Sequence, residues 1–192
     1  MGLSLYRTLY TARQQQGAYL PRQWYYDDAL ALPWVRSIDI KISTALNKQS
    51  ARGLVYSSNR QTHGGMESFD YTIIIADGLT TESERFVTIK ELMHCYFAPV
   101  EKNVKYLTGS QVALESHMNA FFGNSTEDNS ASRAETMALW MALGVICTEH
   151  DRKAMVGTMS PQAIGQKAVI PLKQAKNLVS NVYLREIAKL VS

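Results

Sequence analysis

The chain has no long hydrophobic run, little cysteine and no cluster of one charge, and each lack excludes a class of protein. No stretch approaches the roughly eighteen consecutive apolar residues of a membrane span, and residues 1–10 lack the basic start and continuous apolar core of a signal peptide. No membrane association and a cytoplasmic location are expected. Cys95 and Cys147 are the two cysteines in 192 residues, too few for a disulfide scaffold and suited to a reducing compartment as small buried hydrophobes. The net charge is only +3, and no basic run is longer than Arg152-Lys153. A direct nucleic-acid partner, which needs a clustered basic stripe, is not expected. No phosphate-binding glycine loop, nucleophile elbow or Cys-x-x-Cys pair occurs.

What is present is the composition of one folding unit. Apolar residues make up 46% and charged residues 19% of the chain, enough to bury a core and far from a disordered composition. A single domain over residues 1–192 is therefore expected. Its first part, residues 1–37, holds a helix over 3–16 with Leu5, Leu9 and Ala12 on one face and Gly17 at its end, followed by an aromatic segment, 24–34. Trp24, Tyr25, Tyr26 and Trp34 are expected to pack the helix against a sheet, with a partner-binding patch as the alternative.

Residues 38–76 carry three strand patterns. Residues 38–42 alternate, 53–56 are short, and 71–75 form a β-branched run. They suggest a small antiparallel sheet with a mobile loop over 57–68, in which His63 is an exposed loop residue. Asp77-Gly78 ends the third strand, and Thr80 or Thr81 offers an N-cap for a helix over 82–97, halted by Pro99. An amphipathic piece at 110–122 and a polar loop at 123–130 precede helices in 131–192, one apolar over 131–147 and one over 171–191. The fold class is thus α+β.

Within the helix over 82–97, positions 90 and 94 lie four apart and project from one face. The string there is Lys90-Glu91-Leu92-Met93-His94. In the zinc-peptidase signature both outer positions are metal-binding histidines and the glutamate activates the attacking water. Here the first is a lysine, which is normally protonated and offers no lone pair to a cation.

The surroundings add to this string. The run Tyr71-Thr72-Ile73-Ile74-Ile75-Ala76-Asp77-Gly78, then Arg85-Phe86, then Lys90-Glu91-Leu92-Met93-His94 resembles the ImmA/IrrE family of metallopeptidases, in which a strand and short turn precede an Arg-Phe pair and the active-site helix. The resemblance implies a zincin-like helical core carrying a small sheet. It also implies a third metal ligand on a second helix, where Glu135 in Arg133-Ala134-Glu135-Thr136-Met137-Ala138 matches the family's glutamate, with Ser132 or the preceding loop as the helix cap. On that basis Glu91 and Lys90 are the candidate catalytic residues, and His94 and Glu135 the candidate metal ligands. Glu115 is a rival third ligand, and His117 and Cys95 are further substitutes. Cys95 is disfavoured because it points roughly 100° away from His94 around the helix axis. The sequence departs from the family in its missing first histidine, in a longer segment between His94 and Glu135, and in the lack of a proline near Ile146.

Two functions follow from the resemblance. One is a regulatory metallopeptidase-like protein with a degenerate site, acting on or binding a partner protein such as a transcriptional repressor, with zinc as its cofactor. The other is a non-catalytic protein-binding module, without a cofactor, in which the Lys90 ammonium replaces the metal charge. His150, in a charged helix end, is expected to be an ordinary surface histidine.

Overall fold

The computed structural model describes residues 2–17, 19–49, 52–61, 67–97 and 130–192, and it places helices on a small sheet. The order is α1 (Gly2–Gln14), α2 (Arg22–Leu30), β1 (Val35–Ser43), β2 (Gly53–Gln61), β3 (Glu67–Ala76), α3 (Thr81–Met93) with a 3-10 turn (His94–Tyr96), α4 (Ser130–Ile146), α5 (Glu149–Met155), α6 (Pro161–Ala168), α7 (Leu172–Leu178) and α8 (Asn181–Val191). The expected α+β class is observed.

The sheet is mixed, not antiparallel as expected. Its order is β1-β3-β2, with β2 antiparallel to β3 and β1 parallel to it. Residue alternation reports which face of a strand is apolar and is silent on which strands are neighbours or how they run. The strand that buries more apolar side chains than the edge strand β1 takes the centre: Phe69, Tyr71, Ile73, Ile75 and Ala76 of β3 are buried, whereas β1 buries Val35 and Ile38 and leaves Ile42 61% exposed. The strands also reach further than their patterns, β2 to Gln61 and β3 back to Glu67, into much of the expected loop. Cross-strand bonding of polar residues such as Ser57 and Asp70 is set by the partner strand, not by local propensity. His63 lies outside the described residues.

One face of the sheet packs on α3, which is buried almost all round through Phe86, Val87, Ile89, Leu92 and Met93. The helix starts where the sequence signals it: the Thr80 side chain accepts from the Ser83 amide at 3.3 Å, and Glu82 and Glu84 sit in the positive first turn. Its α-helical part stops at Met93, so His94 opens the 3-10 turn instead of lying inside an α-helix reaching 97.

The second central helix, α4, packs beside α3 and is tied down at its C-terminus. Arg13 of α1, fully buried, donates to the carbonyls of Val145 at 2.7 Å, Ile146 at 3.1 Å and Gly17 at 2.9 Å. The Tyr25 hydroxyl also donates to the Val145 carbonyl. These donors satisfy carbonyls that a helix end otherwise leaves without partners. Gly144 lets α4 approach closely, since a Cβ there would lie 2.7 Å from the Tyr6 hydroxyl and 2.9 Å from Ile187 Cδ1. Because α4 begins at Ser130, Ser132 sits within its first turn and is not the expected cap residue.

The aromatic segment faces inward. Tyr25 and Trp34 are buried, Tyr26 donates to the Ile38 carbonyl, and Trp34 Nε1 donates to the Cys95 carbonyl at 2.8 Å. The partner-binding patch is accordingly not formed by Tyr25 or Trp34. The C-terminal segment expected as one helix over 171–191 is broken at Val179–Ser180, where the Ser180 side chain caps α8 by accepting from the Tyr183 amide. A buried Arg85 ties α3 to the end of α6 and to the segment ahead of α2, donating to the carbonyls of Ala168 and Leu20 and lying over the Tyr19 ring. Among the described residues no helix is long and apolar enough to cross a membrane.

Candidate functional site

The site forms where α3 and α4 run alongside each other. Residues 90, 91 and 94 share one stretch of α3 and its 3-10 extension, and Glu135 enters from the second turn of α4. Lys90 Nζ lies 2.5 Å from Glu135 Oε2 and 2.8 Å from Glu91 Oε1. His94 Nε2 lies 3.0 Å from Glu135 Oε1 and 3.7 Å from Glu91 Oε2. Lys90, Glu91, His94 and Glu135 therefore meet in space, and among the described residues Glu135 is the glutamate nearest to His94. Glu115 and His117 lie outside the described residues.

The cluster is withdrawn from water. Glu91 and His94 are buried, and the side chains of Lys90 and Glu135 are each 15% exposed. Burial works against the Lys90 ammonium, but attraction to Glu91 and Glu135 outweighs it and holds its pKa above the ordinary lysine value. Burial likewise opposes the Glu135 carboxylate, yet Lys90 and His94 outweigh that cost and hold its pKa below the ordinary range. Lys90 and Glu135 are thus kept charged as an ion pair, with Glu91 bearing on the same ammonium.

Glu91, His94 and Glu135 offer donor atoms that all lie within 4.8 Å of one another, close enough to share one ion. With Lys90 in place they do not fit zinc. The ammonium already lies between the two carboxylates. A divalent cation ~3 Å from it would be repelled by roughly 10 kcal/mol at an effective dielectric constant near 20. Loss of the lysine charge to make room is opposed by both carboxylates. What the arrangement can do is hold α3 to α4 through a buried ion pair without a metal.

Cys95 is no member of the cluster. It is buried, and burial followed by the charge of Glu91 pushes its thiol pKa up, away from the thiolate that binds metals. Cys147 is also buried, and its thiol is pushed up to about 12, first by burial and then by Asp151. His150 is exposed, as expected. A small depression beside the cluster is lined by Val55, Ser57, Tyr71 and His94. The residue that sequence reading missed is Gly53, whose position at the start of β2 places its backbone against Glu91. A glycine opening a strand is the only local signal it gives.

Comparison of the chain with protein-family models, with curated proteins and with solved structures finds no match in any of the three.

Proposed function

We propose that this chain is a degenerate member of the ImmA/IrrE type with a zincin-like core, in which the Lys90 ammonium stands where the family holds its metal. In this reading it acts in the cytoplasm as a regulatory protein that binds a partner protein, of the class of a transcriptional repressor, and does not hydrolyse peptide bonds with zinc. The observation that carries the reading is the position of Lys90 Nζ, 2.5 Å from Glu135 and 2.8 Å from Glu91, beside His94. A resident cation at that point supplies the charge that two buried carboxylates require, and it leaves no room for a second.

One observation favours the alternative, a hydrolase: Glu91, His94 and Glu135 still converge. That reading requires the Lys90 ammonium to leave the space between Glu91 and Glu135 so that a metal ion takes over its charge.

The test is a metal measurement on the full chain purified without chelator or added zinc. Zinc far below one ion per chain is expected, with a rise toward one ion in Lys90→His, where an imidazole restores the missing ligand. Near-stoichiometric zinc in the parent protein would overturn the proposal.

A further inference from the structure

Beside Glu91 the ion cluster is bordered by the start of β2. Gly53 opens β2, and a Cβ built on it would lie 2.7 Å from Glu91 Oε1, 3.0 Å from Glu91 Cγ and 2.5 Å from Val87 Cγ1. No side chain larger than hydrogen can occupy that position while Val87 and Glu91 stay where they are. The strand is paired with β3 from its first residue, Gly53 opposite Ile75, so the backbone cannot simply withdraw. Val87 is a buried, χ1-stiff residue on the same helix and has little freedom to yield. A Cβ therefore demands two adjustments, a shift at Val87 and a swing of the Glu91 carboxylate, which sits at the end of a flexible stem. Its Oε1 atom is the one 2.8 Å from the Lys90 ammonium.

We infer that Gly53 is a positioning residue: by lacking a side chain it lets the Glu91 carboxylate rest against the start of β2 and turn toward Lys90. Substitution at 53 therefore reaches the ion cluster through Glu91, in addition to its contact with Val87. The inference rests on the reading of Lys90 as the resident cation. Any partner that engages the site through Lys90 or Glu91 would be sensitive to position 53 without touching it.

The test uses the full chain labelled with nitrogen-15 and reads the Lys90 ammonium directly. An ammonium held by two carboxylates away from water exchanges its protons slowly and gives a distinct side-chain resonance, assigned by its loss in Lys90→Met. In Gly53→Ala this resonance is expected to disappear or broaden into the solvent-exchanging lysines, while backbone amide signals distant from the site keep their positions. In Gly53→Ala/Val87→Ala, where the Val87 contact has been removed, the same loss is expected, and Val87→Ala alone keeps the resonance.

An unchanged Lys90 resonance in folded Gly53→Ala overturns the role of Gly53 and leaves the reading of Lys90 intact. A parent protein with no such resonance overturns the reading of Lys90 itself. Failure of both Gly53→Ala and the double variant to fold also overturns the inference, since it would show that the strand, not the carboxylate, requires the glycine.

Discussion

Lys90 and Glu135 are 45 residues apart in the chain, and their charged atoms are 2.5 Å apart in space, each on a different one of the two central helices. Neither carboxylate partner of the lysine is free to hydrate: Glu91 is buried and Glu135 nearly so. The consequence is asymmetric. An intact buried pair contributes little net stability, whereas removal of one partner leaves an uncompensated charge.

Lys90→Ala is accordingly expected to destabilise the fold by about 3–5 kcal/mol, because it leaves Glu91 and Glu135 facing each other without a cation. The triple variant Lys90→Met/Glu91→Gln/Glu135→Gln, which removes the charges together, is expected to recover most of that loss. Urea denaturation of the three proteins checks both outcomes. A Lys90→Ala protein as stable as the parent would mean that the ion cluster does not hold the helices.

The stability of the parent should also change with pH at both ends of the scale, with opposite signs of proton release. The folded-state pKa of Glu135 lies below its ordinary value of 4.5. Its contribution is therefore fully present above pH 4.5 and is lost as pH falls through the lower, folded-state value. Lys90 is raised above its ordinary 10.5, so its contribution is complete below pH 10.5 and is lost as pH rises toward the folded-state value. Urea midpoints between pH 7 and pH 3 should fall more steeply for the parent than for Glu135→Gln. The decline above pH 10.5 should be weaker in Lys90→Met.

The placement of Glu135 depends on how α4 is held, and Arg13 serves two carbonyls at the end of that helix and the Gly17 carbonyl just beyond α1. Arg13→Met keeps most of the apolar stem and removes the donors, at an expected cost of about 2–4 kcal/mol. Arg13→Lys is expected to recover less than half, since one ammonium cannot reproduce the guanidinium fork directed at three acceptors. Thermal and urea unfolding of the two variants measure the difference.

Much of this site is legible in the chain itself because it is local. Positions 90, 91 and 94 fall on one side of a helix by the 3.6-residue repeat, and the Thr80 cap marks where that helix begins. Glu135, 45 residues from Lys90, is reached only through the family resemblance. The sequence could not reveal Gly53. Its importance is a close approach between β2 and α3, and an approach of that kind leaves no periodicity and no composition behind it.

Local patterns in the chain are enough for an α+β class, for the strand segments and for the helix that bears Lys90 and Glu91, while they leave the aromatic segment between packing and a partner patch. These follow from short-range propensity and from which residues water rejects. The position of β3 between β1 and β2, with β1 parallel to it, and the break of the expected 171–191 helix at Val179–Ser180 emerge from the folded arrangement alone. The same holds for the 2.5 Å contact that brings an ammonium onto Glu135. Strand order, helix docking and ion pairing between distant residues are set by how faces fit against one another across the whole chain, and that fit is not written in any local window.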